Sequence, residues 1–189
     1  MQNKALLRKD IRARLTNLFP AERAGWDAAA LARIIVMPEF LAAERVGCYA
    51  SMPEEFQTGL LLEVVWKRGK VMALPRVRDD VNLDFHIVTA PGQLQPGALG
   101  ILEPDPAQCP ILPPTELQWL LVPGLAFDHD FRRLGRGKGY YDRYLAKTFA
   151  LKVAACYECQ RLPALHGEAH DRPVDILVTE TAIYRRSPA

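Results

Sequence analysis

Apolar side chains recur at Leu7, Ile11, Leu15 and Leu18, four, four and three residues apart, which predicts an amphipathic helix over Lys4 to Phe19. Its opposite face is basic. Lys4, Arg8 and Arg12 stand four apart in one stripe, so Lys4 and Arg8 either reach a common anion or face solvent. Pro20 suits the opening turn of a second helix with Trp26, Ala30, Ile34 and Met37 on one side, closed by Pro38. The two helices are expected to form a hairpin packed on a sheet. Further on, the apolar spacing changes. Val46 to Ser51 reads as a strand, Met52 to Thr58 as a turn, the residues up to Lys67 as a helix and Val71 to Pro75 as a strand. That succession is a βαβ unit, which requires parallel pairing. Leu83 to Val88 alternates like a half-buried strand, and the Pro- and Gly-rich stretch Ala90 to Pro114 reads as a long loop of the kind that covers sites. The run Trp119 to Phe127 is short and β-prone enough for one buried strand. Tyr140 to Phe149 reads as a helix, and Val153 to Tyr157 and Val174 to Val178 as further strands, the last bracketed by Asp171 and Asp175. Alternating strands and helices place the chain in the α/β class.

Composition narrows the function more than the fold. With 189 residues, 49% hydrophobic and 24% charged, the chain suits one domain, 1–189, with a sizeable core. A net charge of +2 is too small to suggest nucleic acid, yet Arg132, Arg133, Arg136, Lys138 and Arg143 concentrate positive charge within twelve residues. Focused charge favours a small anionic ligand. There is no 18-residue apolar run, and Met1 to Arg14 lacks the apolar centre of a secretory signal, so neither a membrane span nor export is expected and the cytoplasm is the expected compartment. Of Cys48, Cys109, Cys156 and Cys159, only the last two have redox or metal spacing. With no second pair to complete a zinc site, all four read as reduced thiols. His86, His129, His166 and His170 are scattered.

The chemistry gathers in Arg132-Arg133-Leu134-Gly135-Arg136-Gly137-Lys138-Gly139-Tyr140-Tyr141-Asp142-Arg143, a glycine-rich cationic loop between a predicted strand and a predicted helix. Glycines let the backbone approach an anion, and the N–H groups opening a helix add positive potential at the same point. It is not a Walker A loop, since Gly139 follows Gly137-Lys138 and Arg132 stands where the first glycine belongs. Nor is it the dinucleotide fingerprint, whose third glycine is replaced by Tyr140. A polyphosphate suits it best; solvated loop charges are the plainer reading. Ligands of βαβ units gather beyond the carboxyl ends of the parallel strands, which brings Glu54 and Glu55 to the same region. Glu55 is expected to begin a helix, with Glu54 pointing elsewhere.

These residues resemble the 5-formyltetrahydrofolate cyclo-ligase family, also called methenyltetrahydrofolate synthetase. The resemblance lies in Pro123-Gly124-Leu125-Ala126-Phe127-Asp128 followed by Arg133 to Asp142. It extends to Lys4 and Arg8, Ser51-Met52 with Glu55 and Thr58, Glu103-Pro104, and Val174-Asp175 with Thr179-Glu180. Two positions depart from the family pattern: Phe131, where a glycine is usual, and the neighbourhood of Ala154 before Gln160, which lacks one. Both are turn or packing positions.

The resemblance implies a three-layer α-β-α domain of the NagB/RpiA/CoA-transferase kind, with a mostly parallel central sheet and an N-terminal helical hairpin. It implies ATP-dependent cyclisation of 5-formyltetrahydrofolate to 5,10-methenyltetrahydrofolate with Mg²⁺, giving ADP and phosphate. It assigns ATP to Lys4, Arg8, Arg133, Leu134, Gly135, Arg136, Gly137, Lys138, Gly139, Tyr140 and Tyr141. Folate falls to Met52 and Glu55, with Arg136, Gly137, Lys138, Gly139 and Tyr140 on the same side, and Mg²⁺ to Asp142 and Asp175. Arg136, Lys138 and Tyr140 are the implied catalytic groups. The expected partner is a reduced folate, with or without a polyglutamate tail, bound by a monomer that engages neither nucleic acid nor membrane. From the residues alone, a sugar-phosphate isomerase or CoA-transferase-like enzyme, or a phosphate or nucleic-acid binding module, also fits the basic loop.

Overall fold

A computed structural model of the chain describes residues 4–97, 100–167 and 171–187; His170 lies outside them. The chain opens with helices α1 (Lys4–Thr16) and α2 (Pro20–Ile34). Pro38 does not close the second helix, which ends at Ile34; instead it opens a short helix α3 (Pro38–Ala42). A proline lacks the N–H that a first-turn residue would leave unpaired anyway, so Pro20 and Pro38 both start helices. Then come β1 (Arg45–Gly47), α4 (Gly59–Lys67), β2 (Val71–Val77) and β3 (Leu83–Ile87). The Pro-rich stretch contains a hairpin of β4 (Leu94–Pro96) and β5 (Leu102–Pro104), and then β6 (Ile111–Leu112).

The run Trp119 to Phe127 is two strands, not one. β7 (Trp119–Leu121) belongs to the large sheet, and β8 (Ala126–Asp128) to a small one with β9 (Arg133–Leu134) and β11 (Arg161–Leu162). The break falls at Pro123-Gly124, where proline cannot donate to a ladder and a Cβ on Gly124 would stand 2.5 Å from the Phe127 ring. Helix α5 (Tyr140–Leu145) is also shorter than its pattern suggests. Thr148 ends the segment by bonding the Pro114 carbonyl at 2.7 Å and accepting from Ala150 N–H, which leaves Phe149 89% exposed. β10 (Leu151–Ala155), β12 (Ile176–Val178) and β13 (Ile183–Arg185) complete the chain.

The large sheet has the order β13-β12-β10-β7-β1-β2-β3-β6. Its five central strands, β12, β10, β7, β1 and β2, pair in parallel, and antiparallel strands finish both edges. Period-two alternation sends side chains to two cores. Val46, Met72, Leu74, Trp119, Leu121, Val153 and Val178 meet α2, α3 and α4, while Ala73, Leu120, Val122, Ala154 and Leu177 meet Tyr144 and Leu145 of α5. Helix α1 packs on a third core: Ile11 and Leu15 meet Leu125, Ala126, Leu134 and Tyr157 against the small sheet, and Trp26 of α2 packs against the same cluster. Strand succession reverses between β1 and β7, because β2 continues to one side and β10 to the other. At such a switch point the loops leave in opposite directions and open a crevice beyond the carboxyl ends.

Candidate active site

That crevice holds a cavity of about 340 Å³. Two loops define it, and each is held from behind. The first follows β1. Thr58 donates its hydroxyl to the Tyr49 carbonyl at 2.7 Å, Gln57 donates its side-chain amide to the Met52 and Glu55 carbonyls, and Glu55 Oε2 accepts the Met52 N–H at 2.9 Å. Helix α2 clamps this loop: Arg23 donates to the carbonyls of Pro53 and Glu55, and Asp27 accepts the Gln57 N–H at 3.2 Å and the Tyr157 hydroxyl at 2.9 Å. Burial raises the Asp27 pKa, against these bonds and the nearby Arg23 charge. Glu55 does not begin a helix; α4 starts at Gly59, and Glu55 sits in the loop.

The second loop leaves β9 and enters α5. Arg8 donates Nε to the Gly135 carbonyl at 2.8 Å and its guanidinium lies over Gly137, so α1 fixes the loop's outer side. Gly137 and Gly139 have φ of 110° and 70°, conformations that glycine adopts without strain. A Cβ on Gly139 would also stand 2.8 Å from Arg143, which donates to the Lys138 carbonyl at 2.8 Å. The loop's root is a tight turn in which buried Asp128 accepts the N–H groups of Asp130, Arg132 and Leu165. Phe131, the family-departing residue, has a φ of 63° in that turn; among the described residues it is the one non-glycine with positive φ. A glycine would take the same conformation without a Cβ clash.

Between the loops runs an ion-pair network. Arg136 donates Nε to Glu55 Oε1 at 3.1 Å, and Nη2 to Glu55 Oε1 and Glu54 Oε1, both at 2.9 Å. Glu54 therefore does not point elsewhere. Adjacent residues diverge on a helix, but here they occupy a loop whose backbone lets both carboxylates converge on one guanidinium. Burial works against the Arg136 charge, but Glu55 and Glu54 outweigh it and raise its pKa. Arg133, 5% exposed, donates Nη2 to Asp142 Oδ1 at 2.7 Å and lies 5.7 Å from the Tyr141 ring centre. Arg133 Nε and the Tyr141 hydroxyl are buried donors without a partner, and both residues line the cavity. An unpaired buried donor at a cavity wall is costly unless a ligand accepts from it.

Lys4, Arg8, Met52, Glu55, Arg133 to Tyr141 and Asp142 all line the cavity, so most of the expected residues are brought together. Lys4 pairs there with Asp171 at 3.6 Å. Tyr49, Pro75, Val77, Leu83, Ile101 and Leu102 form an apolar wall, the last two contributed by the Pro-rich stretch. Asp175 is the exception. It precedes β12 at the amino end of the parallel strands, accepts the Lys152 backbone N–H at 2.8 Å and pairs with Lys152 Nζ at 3.3 Å. It does not line the cavity that Asp142 lines. Among the described residues no three His, Cys, Asp or Glu side chains cluster to hold a metal, and the four cysteines are free thiols. Sequence reasoning passed over Tyr49, Arg23, Asp27 and the reach of Glu54. Only the acidic pair at 54 and 55 left a local signal.

An α/β protein with a cationic glycine loop, facing carboxylates and an apolar wall at its switch point is built to take an anionic, ring-bearing small molecule. The chain belongs to the 5-formyltetrahydrofolate cyclo-ligase family, whose model matches residues 1–180. It is 31% identical over 179 residues to the 5-formyltetrahydrofolate cyclo-ligase of Escherichia coli (strain K12), covering 92% of this chain and 98% of that protein. The Mus musculus relative of the same name is 28% identical, over 97% and 94%. The NMR structure of Aquifex aeolicus 5,10-methenyltetrahydrofolate synthetase superposes with a TM-score of 0.89 at 34% identity, covering 98% of this chain and 94% of that one. The Mycoplasma pneumoniae 5,10-methenyltetrahydrofolate synthetase, at 21% identity and a TM-score of 0.78, shares the fold.

Proposed function

We propose that this protein converts 5-formyltetrahydrofolate and ATP to 5,10-methenyltetrahydrofolate, ADP and phosphate. The observation that carries the reading is the convergence of the glycine loop and the 52–57 loop on one cavity, bridged by Arg136. The formyl oxygen is a poor leaving group. It attacks the γ-phosphorus as the bond to ADP breaks; the neighbouring folate nitrogen then attacks the activated carbon, and phosphate departs with the former formyl oxygen. Such a reaction needs positioning and charge neutralisation rather than a protein nucleophile.

Lys4, Arg8 and the 133–141 loop hold the triphosphate, with Arg136 and Lys138 on the transferring group and Tyr140 beside it. The unpartnered donors of Arg133 and Tyr141 suit phosphate oxygens. Glu55 accepts from the amino-pyrimidine edge of the pterin, and Met52 and the apolar wall receive its face. Asp142 would hold the Mg²⁺ that accompanies ATP, which would neutralise charge on the triphosphate; a hard cation bound together with phosphate needs only one or two protein carboxylates, so Asp175 is not required. On the same grounds we infer a NagB/RpiA/CoA-transferase-type scaffold with α1 and α2 as its N-terminal hairpin, acting as a single-domain monomer in the cytoplasm. The cations gather around one cavity rather than along an extended surface, which favours a small ligand over nucleic acid. Incubation with 5-formyltetrahydrofolate should change the folate absorbance only when ATP is present. Turnover without ATP would instead support an isomerase or CoA-transferase-like enzyme.

A further inference from the structure

We propose that Glu54, to which no role in the reaction is assigned above, is a positioning residue that takes over Arg136 when Glu55 is handed to the folate. The inference rests on the cyclo-ligase reading and concerns how its two binding sites share one charge. Both oxygens of Glu55 are already committed: Oε1 to Nε and Nη2 of Arg136, and Oε2 to the Met52 N–H. A carboxylate engaged in this way cannot also accept a pair of N–H donors from a ring edge. At least one contact to Arg136 has to be released when the pterin arrives.

Release alone would leave a half-buried cation unpaired, since the Arg136 side chain is 27% exposed, and that is unfavourable. Glu54 removes the difficulty. Its Oε1 lies 2.9 Å from the same Nη2 that Glu55 holds, so the guanidinium keeps a full counter-charge without leaving the loop that faces the triphosphate. The Glu54 carboxylate is suited to standing ionised: burial pulls its pKa upward, but its own backbone N–H and Arg136 outweigh burial and set it below the ordinary value. Arg136 thus pivots between two carboxylates on one loop, and Glu55 becomes available without a gap in charge.

The arrangement has a signature that a structural role lacks. In Glu54→Gln the side chain keeps its shape but not its charge, so Arg136 holds Glu55 more firmly and the KM for 5-formyltetrahydrofolate should rise about fivefold. The loss of a negative charge beside Arg136 should leave the KM for ATP unchanged or lower it about twofold. Glu54→Asp, which keeps the charge, should restore the folate constant in part. In an Arg136→Lys background, where no fork remains to be shared, Glu54→Gln should add nothing to the loss of formylfolate affinity measured by equilibrium titration. Both constants rising together, neither constant moving, or a lowered melting temperature with unaltered constants would each overturn the proposal, as would additive losses in the double variant. The two readings fail differently. If the unmutated protein shows no ATP-dependent turnover, the cyclo-ligase reading fails; if it turns over and Glu54→Gln overlays it, only the role of Glu54 does.

Discussion

Two carboxylate clusters stand beyond the carboxyl ends of the parallel strands, and they are built to opposite ends. Glu158, following β10, has its acceptors filled from four sides: Thr179 at 2.6 Å, Thr181 and Tyr184 at 2.8 Å, and Arg161 at 3.0 Å. Burial alone would raise its pKa, but those four donors outweigh it and hold the carboxyl at about 2. Every one of these donors is the protein's own, so the cluster knots β12 and β13 to the end of β10. At positions 54 and 55 two carboxylates compete for one guanidinium, beside a cavity whose wall carries unpartnered donors. Saturation marks a brace, and competition marks a site.

The comparison can be broken experimentally, and the largest effect is expected in the loop that faces the competing pair. Lys138→Ala should lower kcat/KM by roughly 30-fold to 1000-fold, the loss of one charged transition-state contact worth about 2–4 kcal/mol, with the melting temperature unchanged. Steady-state kinetics on the folded variant matching the unmutated protein would take the loop out of the reaction. Asp142→Asn should raise the Mg²⁺ concentration needed for half-maximal rate about tenfold, because a neutral oxygen is a poorer ligand for a hard cation, whereas Asp175→Asn should leave it unchanged. A parallel shift in both metal titrations would contradict the placement of Asp175 at the amino end of its strand.

Glu158→Ala should show the reverse profile. It should destabilise the fold by about 2 kcal/mol in urea titrations, with kcat/KM within about twofold of normal. The sign of its pH dependence follows from a folded-state pKa depressed from 4.5 to about 2. Its contribution is present above pH 4.5 and is lost as pH falls towards 2, so the variant and the unmutated protein should converge in stability across that acid window. The smallest effect belongs to Phe131→Gly. Relief of about 1–2 kcal/mol of left-handed strain offsets the loss of a half-buried ring, so the net change should stay within about 1 kcal/mol; a loss above 3 would mean that the ring's packing dominates.

What the sequence made legible was local. The four-residue spacing of Lys4 and Arg8 put both on the cavity side of α1, and the glycines of the 135–139 loop marked a strand-to-helix passage whose shape is set within a few residues. Phe131 in place of a glycine was likewise visible as a turn position. Matters of sidedness were not legible. Asp175 precedes its strand, and nothing in the spacing says that this end lies away from the cavity; that depends on the parallel register with β10. The convergence of Glu54 and Glu55 is hidden because, within a turn before an apolar helical run, Glu55 reads as a carboxylate that begins the helix, where adjacent side chains diverge. Strands of two residues, such as β6, β9 and β11, carry too few positions for a period to emerge.

The order of the sheet also constrains how the chain can be made. β1 and β2 pair across α4 within one short stretch of chain, but the other neighbour of β1 is β7, more than seventy residues downstream by the pairing of Val46 with Trp119. On a ribosome, β1 therefore emerges with one side of its backbone unpaired and stays so until the middle of the chain has been synthesised; β10 and β12 then add outward in sequence order. An apolar strand waiting with an open edge is a template for another chain. Translation speed across residues 78–118 should therefore govern how much of the nascent protein is lost to aggregation, and slowing it there should demand more from chaperones than slowing it anywhere after β7.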